Sequence, residues 1–149
     1  MKMSEIEFTT LKKGDVKELA RLDAECFSVP WSENSFLADV KNPFAHYVIA
    51  KINGEICGYC GIYKVLDEGQ ITNIAVGEKF RRCGIGHKIL GKIIEYAKGN
   101  EIKSISLEVR QSNAAAISLY EKYGFLTVGL RKNYYHNPTE NAVLMELVI

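Results

Sequence analysis

The 149-residue sequence has little proline and almost no excess charge. It contains three prolines, and 19 Lys and Arg stand against 18 Asp and Glu, which leaves a formal net charge of +1. A broad nucleic-acid footprint requires a strongly basic face, so this balance argues against direct nucleic-acid binding. No internal repeat and no tract rich in Pro, Gly or Ser divides the chain. We therefore expect one compact domain over residues 1–149.

The sequence also lacks long apolar runs. No stretch approaches the roughly 20 apolar residues that span a bilayer. The first five residues, Met1 to Glu5, have none of the apolar core of a signal peptide. We expect a cytoplasmic protein with no membrane partner, and its oligomeric state stays open. In a reducing compartment the four cysteines should be free thiols.

Hydrophobic periodicity predicts hairpins in the first half of the chain and alternating helices and strands in the second. Asn53-Gly54 predicts a two-residue hairpin turn, and Asp67-Glu68-Gly69 predicts another turn. Asp15 and Glu18 fit a capping box, and Ser32 can cap a second helix. The predicted strands cover residues 6–11, 46–52, 55–63, 70–76, 104–110, 125–131 and 142–148. This order indicates an α/β fold with a mixed sheet and helices packed on its faces.

The segment Arg81-Arg82-Cys83-Gly84-Ile85-Gly86 stands between a predicted strand and a predicted helix. Glycine lets the backbone approach a ligand closely, and a helix start offers unpaired N–H groups and a positive dipole end. Arginine binds phosphate through two parallel hydrogen bonds. The loop is neither a Walker A motif nor G-x-G-x-x-G. It therefore indicates an anion site, with a glycine-rich turn and solvated arginines as the equal alternative.

Polar residues of the strand predicted at 104–110 and of the following helix are candidates for chemistry. Glu108 lies on the polar side of that strand, away from its apolar residues. Asn113 can cap the next helix, and Tyr120 lies seven residues later on the same helical face. Simpler roles stay open from the residues alone. Glu108 would then be a solvated carboxylate, Tyr120 a core aromatic and Asn113 only a cap.

Several stretches resemble GNAT acetyltransferases. Residues 81–86 resemble the acetyl-CoA pyrophosphate loop of that family, written Q/R-x-x-G-x-G/A. Residues 107–125 are similar to one branch, the RimI-type ribosomal-protein-alanine N-acetyltransferases. Residues 30–32, 73–76 and 131–135 fit the same branch, in the same order along nearly the whole chain. The resemblance implies the GNAT fold, a mixed, splayed sheet of about seven strands flanked by about four helices.

The resemblance also implies roles for individual residues. Acetyl-CoA is the implied co-substrate, with its pantetheine arm in a gap between the strands at 70–76 and 104–110. Glu108 is the implied general base and Tyr120 the implied general acid. The residues implied in cofactor binding are Ile74, Ala75, Val76, Arg82, Cys83, Gly84, Ile85, Gly86, His87 and Asn113. The residues implied in acceptor binding are Trp31, Tyr134 and Tyr135.

The implied reaction is acetyl transfer to the N-terminal α-amine of a protein, by direct attack in a ternary complex. The expected acceptor is the N-terminal alanine of protein eighteen of the small ribosomal subunit. A single carboxylate base suits an α-amine. The pKa of the α-ammonium group, near 7.7–8.0, is only about 1 unit above pH 7, so its deprotonation costs little. Two alternatives stay open. One is a GNAT enzyme for another amine, such as other protein N-termini, a polyamine or an amino acid, and the other is a non-catalytic CoA-binding sensor module.

Cysteines and histidines offer weaker signals. Cys57 and Cys60 form a C-x-x-C inside a predicted strand, where residues three apart point to opposite faces, so we expect ordinary packing. The three histidines lack metal-ligand spacing, so no metal is expected. Cys83 stands beside arginines that would favour its thiolate, which leaves an acyl-cysteine route open, although the family uses direct attack. Glu140-Asn141 replaces a Glu-Asp pair common in the family, and specificity could change if that segment reads a basic substrate.

Overall fold

Seven strands form one mixed sheet, with four α-helices, within residues 5–149, the part that the computed structural model describes. The strands are β1 (Ile6–Thr9), β2 (Ala45–Ile52), β3 (Glu55–Val65), β4 (Glu68–Val76), β5 (Ser104–Arg110), β6 (Leu126–Tyr135) and β7 (Glu140–Val148). The helices are α1 (Val16–Cys26), α2 (Glu33–Val40), α3 (Ile85–Gly99) and α4 (Ala114–Lys122). The predicted α/β class is confirmed. The signal-peptide prediction rests mainly on residues 1–4, which lie outside the described residues.

The strand order is β1-β2-β3-β4-β5-β7-β6, and the central β4–β5 pair is the parallel one. This parallel contact is short, because residues 68–70 pair with residues 104–106 and the pairing then stops. Residues 71–76 continue alongside β3, and residues 107–110 continue alongside β7. The sheet therefore splits at its centre, and the splayed architecture is confirmed. Of the helices in residues 5–149, none has both the length and the apolar character that crossing a bilayer requires.

The first predicted turn and the Ser32 cap occur as predicted, and the second predicted turn is displaced. Asn53 and Gly54 have φ angles of 51° and 79°, so they supply the two left-handed residues of the tight hairpin turn. Ser32 accepts a hydrogen bond from the Ser35 N–H at 3.2 Å, as an N-cap should. The second predicted turn lies at residues 66–67 instead of 67–69, because Glu68 and Gly69 already pair with β3.

The predicted capping box at the start of α1 is wrong. The Asp15 carboxylate accepts a hydrogen bond from the Lys12 N–H at 3.0 Å and forms an ion pair with Lys51 at 2.8 Å. The Glu18 carboxylate accepts a hydrogen bond from the Ile56 N–H at 2.6 Å. Both side chains therefore bind groups of β2, β3 and the turn before α1. They attach the helix to the sheet and do not cap it.

Two hydrophobic cores lie against the sheet. The larger one contains the apolar face of α3, together with the apolar side of β5. Its α3 members are Ile85, Ile89, Leu90, Ile93, Ile94 and Ala97, and its β5 members are Ile105, Leu107 and Val109. The smaller core lies beneath α1 and α2 and includes Leu19, Phe36, Tyr47 and Tyr59. Each core thus attaches different helices to the same sheet.

Cys57 and Cys60 both belong to the larger core, so the prediction of opposite faces is wrong. Ala50 pairs with Gly58 while the next residue, Lys51, pairs with Ile56. Cys57 is therefore the extra residue of a β-bulge, and the bulge resets the alternation of side chains along β3. All four cysteines are free, as predicted. Burial raises the pKa of Cys57 to about 11, which suits a packing residue.

Buried carboxylates attach α1 and α2 to tyrosines of the sheet. Asp39 accepts hydrogen bonds from the hydroxyls of Tyr47 at 2.5 Å and Tyr63 at 2.6 Å. Asp23 accepts one from the Tyr59 hydroxyl at 2.5 Å, and burial raises the pKa of this carboxyl group. Buried polar groups of this kind are costly unless they are paired, so these bonds specify where each helix sits. The two carboxylates thereby attach α1 and α2 to the sheet.

Phe36 provides a test of the smaller core. Its ring is 0% exposed and packs 5.5 to 6.2 Å, between ring centroids, from Trp31, Tyr47 and Tyr59. We expect Phe36→Ala to lower the free energy of unfolding by about 3–5 kcal/mol in urea titrations, because it opens a cavity. Phe44→Ala is the matched control, since Phe44 is 64% exposed, and it should cost about 0.5 kcal/mol or less. Similar losses for the two variants would contradict this packing.

Candidate active site

The gap between β4 and β5 is lined on one side by Ile74, Ala75 and Val76. These residues pair with Cys60, Tyr59 and Gly58 of β3, and they have no partner on β5. Just before them β4 bulges, because Cys60 pairs with Ile74 whereas Ile62 pairs with Ile71. A bulge increases the local twist and bends the strand. It therefore accompanies the divergence from β5 that leaves one edge of this segment without a strand partner.

The Arg81–Gly86 loop wraps the start of α3. Arg82 and Gly84 have φ angles of 63° and 78°, and Gly84 is the N-cap residue of the helix. The first backbone bond of the helix runs from the Lys88 N–H to the Gly84 carbonyl at 3.2 Å. The N–H groups of residues 85–87 precede that bond, so they are free of intrahelical partners, as at any helix start. This is the geometry of an anion site.

The two arginines of the loop have different roles. The Nε of Arg81 donates to the Val76 carbonyl at 3.0 Å, and its guanidinium group also reaches Cys26 Sγ at 3.6 Å. Arg81 thus ties the loop to the end of β4. Arg82 is exposed and is available to a bound anion. The Cys83 thiol donates to the Arg81 carbonyl at 3.4 Å, so its observed contact lies within the loop.

His87 lies in the first turn of α3, and Asn113 precedes α4 as its N-cap residue. His87 is exposed in the first turn of α3, and its ring lies 4.7 Å from that of Tyr123. The Tyr123 hydroxyl donates to the His87 carbonyl at 2.7 Å, which joins the two helices. Asn113 accepts a hydrogen bond from the Ala116 N–H at 3.2 Å. Asn113 is therefore an N-cap, and its contact with a cofactor stays a prediction.

Glu108 lies among side chains of β6. Its side chain is 20% exposed, and its Oε1 atom is 3.8 Å from the Arg131 guanidinium nitrogen Nη1. The pKa of Tyr134 is raised, mainly by its interaction with the neighbouring Glu108. The pKa of Tyr135 is raised to about 12, first by burial and then by the charge of Glu108. The structure thus brings the predicted base together with two of the predicted acceptor-binding residues.

A bulge in β6 explains why two adjacent tyrosines can both lie near Glu108. Arg131 pairs with Ala142, but the next pair is Tyr135 with Glu140, so β6 has two extra residues here. Asn133, inside the bulge, has a φ angle of 54°. β6 was predicted to end at Arg131, and it resumes beyond this irregularity because pairing with β7 resumes. The bulge re-aims the side chains of residues 131–135.

Tyr120 presents a hydroxyl group from a buried ring. The residue is 4% exposed, and its ring lies 5.5 Å from that of Phe125. Its hydroxyl makes no hydrogen bond within residues 5–149. Among these residues only the Thr9 hydroxyl is both fully buried and without a hydrogen-bond partner, so the Tyr120 hydroxyl retains some solvent exposure. Burial raises the pKa of Tyr120 well above 10, and Cys60 and Tyr135 add to the increase. The hydroxyl therefore stays protonated at neutral pH.

Trp31 packs against the smaller core beneath α1 and α2. Its backbone N–H donates to Asp23 Oδ2 at 2.9 Å, and its ring packs on Phe36 in the smaller core. These contacts position the end of the α1–α2 connection. Its contact with an acceptor stays a prediction.

Glu140 and Asn141 both bind groups inside the protein. Glu140 Oε2 accepts from the Ser112 N–H at 2.5 Å, and the pKa of Glu140 is lowered first by the Ser112 side chain and then by this backbone hydrogen bond and by Arg110. Asn141 Oδ1 accepts from the Asn133 N–H at 3.0 Å, and its Nδ2 donates to Gln111 Oε1 at 3.2 Å. The departure from the family pattern therefore acts on the β6 bulge. We expect any effect on specificity to come through the position of that strand.

Two arginines at this site were missed by sequence reasoning. Arg131 was noted only within the motif at residues 131–135, and Arg110 only within the strand predicted at residues 104–110. Their partners, Glu108 for Arg131 and Glu140 for Arg110, lie 23 and 30 residues away in sequence. The pairings become visible only when the register of β5, β6 and β7 is known. Within residues 5–149, no group of three or more His, Cys, Asp or Glu side chains is placed to hold a metal ion.

Comparison with known proteins identifies the family. The model of the Acetyltransferase (GNAT) family matches residues 16–125. The ribosomal protein bS18-alanine N-acetyltransferase of Haemophilus influenzae is 38% identical over 136 residues, covering 88% of this chain and 90% of that protein. The N-alpha-acetyltransferase RimI of Mycobacterium tuberculosis is 33% identical over 141 residues, covering 91% and 87%.

A solved structure agrees with the sequence relatives. The crystal structure of the ribosomal-protein-S18-alanine N-acetyltransferase from Escherichia coli has a TM-score of 0.90 and 32% identity, and the match covers 97% of this chain and 94% of that one. The resemblance that the motifs indicated is therefore confirmed. The chain belongs to the GNAT family of acetyltransferases and, within it, to the RimI-type group, and its acetyl donor is acetyl-CoA.

Proposed function

We propose that this protein transfers the acetyl group of acetyl-CoA to the N-terminal α-amine of a protein. One observation carries the proposal: Tyr135 is a neighbour of both groups, since the charge of Glu108 raises the pKa of Tyr135 and Tyr135 in turn raises the pKa of Tyr120. A carboxylate and a protonated hydroxyl are the two groups that proton transfer to and from an amide-forming centre needs. The proposed acceptor is the N-terminal alanine of ribosomal protein bS18, after the relatives that bear that name.

Acetyl-CoA is proposed to occupy the gap between β4 and β5. The pantetheine arm would pair with the backbone of residues 74–76, whose β5 side has no strand partner. Its pyrophosphate would lie at residues 82–87, where free N–H groups of the helix start and the Arg82 charge favour an anion. Asn113, at the start of α4, is proposed to touch the cofactor further along. The thioester supplies the activated acetyl group.

Glu108 is the proposed general base. Its carboxylate would take a proton from the ammonium group of the acceptor, directly or through a water molecule. For an N-terminal amine at pH 7 that deprotonation costs about 1.4 kcal/mol, against about 4.6 kcal/mol for a lysine side chain. One carboxylate is adequate for the smaller task. Tyr134 and Tyr135, which lie beside Glu108, are proposed to form, together with Trp31, the wall that the acceptor peptide contacts.

Tyr120 is the proposed general acid. Its hydroxyl is protonated at neutral pH, because burial raises its pKa well above 10, and it has no internal hydrogen-bond acceptor in residues 5–149 to which the proton is committed. It can therefore donate that proton to the sulfur of the departing thiolate. The free amine attacks directly while both substrates are bound, so no acyl-cysteine is required. Backbone N–H groups on residues 74–76 are proposed to stabilise the developing oxyanion.

The proposal treats residues 1–149 as a single N-acetyltransferase domain. The family match ends at residue 125, but β6 and β7 lie beyond it. These two strands complete the sheet beside β5 and supply Arg131, Tyr134 and Tyr135 around Glu108. A chain that ended at residue 125 would leave the proposed base without these neighbours.

The acceptor can be tested with a peptide that copies the N-terminus of bS18 and the same peptide with its α-amine blocked. We expect thiol release from acetyl-CoA with the free peptide and background release with the blocked one, since the α-amine is the proposed nucleophile. Equal release with both peptides would point to a side-chain amine. Release with a polyamine or a free amino acid but not with the peptide would show that the proposed acceptor is wrong. Bound acetyl-CoA with no release on any of these amines would favour a sensor module.

Glu108→Gln tests the base. General acid–base groups contribute about 10²–10⁴-fold, so we expect kcat to fall by about a hundredfold or more. The affinity for acetyl-CoA, measured by calorimetry, should stay within about twofold, because no cofactor contact is proposed for Glu108. Glu121→Gln is the matched control, since Glu121 is an exposed carboxylate on α4. A loss of cofactor affinity in proportion to kcat would undermine the assignment.

Tyr120→Phe tests the acid and its pH dependence. We expect a milder fall in kcat, about tenfold, because water can replace a lost proton donor in part. Because its pKa is raised well above 10, the Tyr120 hydroxyl remains protonated through pH 10. Ionisation of Tyr120 should therefore not lower the wild-type rate as the pH rises to 10. The pH–rate profiles of wild type and variant should therefore have the same shape up to pH 10. An alkaline fall that the variant abolishes would refute this protonation state.

A further inference from the structure

Arg110, the last residue of β5, binds three separate parts of the chain. Its Nη1 donates to the Pro138 carbonyl at 2.9 Å and to Glu140 Oε1 at 3.2 Å. Its Nη2 donates to the His136 carbonyl at 2.7 Å and to Ser28 Oγ at 3.4 Å. Only a planar guanidinium group can satisfy so many acceptors at once from a single position. The ion pair with Glu140 balances the charge of this partly buried group.

The segments that Arg110 joins are the two that border the acceptor side of the site. Residues 27–32 connect α1 to α2 and include Trp31, and residues 136–139 form the turn between β6 and β7. In the described part of the chain, no hydrogen bond joins these two segments directly. Both bind Arg110 instead, Ser28 through its hydroxyl and the turn through two carbonyls. The arginine is therefore the hydrogen-bonded link between them.

Arg110 also supports the tyrosines beside Glu108. Its guanidinium carbon lies 4.6 Å from the centre of the Tyr135 ring. The Tyr135 ring in turn meets the Tyr134 ring edge to face at 5.1 Å, and Tyr134 interacts with Glu108. Glu108 and Arg110 are two residues apart on one strand, so their side chains leave the same face of β5. A continuous set of contacts thus runs from Arg110 to the proposed base.

We propose that Arg110 is a positioning residue for the acceptor, holding the 27–32 connection and the 136–139 turn together so that Tyr134 and Tyr135 face Glu108. This role rests on the proposed function, because it assumes that the acceptor lies against these tyrosines. Arg110 touches neither the 74–76 backbone nor the 81–86 loop through any hydrogen bond or ion pair of the described residues. Its loss should therefore weaken the acceptor and spare acetyl-CoA. Lysine cannot replace it, because an ammonium group lacks the planar fork and the stacking surface.

The test compares Arg110→Lys and Arg110→Met with the control Arg21→Met. Arg21 is exposed on α1 and makes no hydrogen bond or ion pair within residues 5–149. We expect both Arg110 variants to raise the KM for the acceptor about tenfold or more, since small misplacements at a site carry large penalties, and to leave the KM for acetyl-CoA within about twofold. Arg21→Met should change neither constant. An unchanged acceptor KM in a folded Arg110→Met protein, or an equal rise in both KM values, would overturn the proposal.

Ser28→Ala provides a second, gentler variant if the Arg110 variants do not fold. It removes only the link to the 27–32 connection, so we expect a rise of about threefold in the acceptor KM, and no further rise when it is added to Arg110→Met. Fully additive effects, or no effect of Ser28→Ala, would contradict the link. If wild type does not acetylate the bS18 peptide, the proposed acceptor is wrong, and the same comparison is made with the amine that the enzyme does acetylate. Failure of the proposed acceptor and failure of the Arg110 proposal are therefore distinguishable.

Discussion

The short parallel contact between β4 and β5 is the constraint on which the rest of the structure depends. Two strands that stayed paired along their length would satisfy each other's backbone groups and leave no opening at the centre of the sheet. Here the pairing ends after residues 68–70 meet residues 104–106, and each strand then follows a different neighbour. The gap that results is the proposed cofactor site, and every proposed catalytic or binding residue is placed by its relation to it.

The two halves of the split sheet have different tasks in the proposed mechanism. The β1–β4 half, with the start of α3, offers an unpaired strand edge and an anion site. The β5–β7 half offers Glu108 and the tyrosines around it. The α1–α2 connection belongs in sequence to the first half. The Ser28–Arg110 hydrogen bond joins it to the acceptor side of the second half. The buried carboxylate of Asp23 binds the Trp31 N–H in that connection, and Asp39 attaches α2 to the sheet.

The sequence predicted most elements and failed where a partner lies far along the chain. The Asn53-Gly54 turn and the Ser32 cap involve neighbours within three residues, and both occur as predicted. Asp15 and Glu18 also fit a capping pattern, but their carboxylates bind Lys51 and the Ile56 N–H instead of the start of the helix. The extra residue at Cys57 could not be foreseen, because a bulge is defined only against the paired strand.

The residues proposed for the site also divide into those placed by local sequence and those placed by contacts between distant residues. The sequence by itself determined the alternation that puts Glu108 on the polar side of β5, the glycines at the start of α3 and the motifs of the family, because each depends on local spacing. Only the tertiary structure decided that the bulge in β6 directs Tyr134 and Tyr135 towards Glu108, and that Arg110 ties Ser28 to the turn after β6. Those contacts join residues that are 26 to 82 positions apart, and strand register, which local spacing does not encode, brings them together.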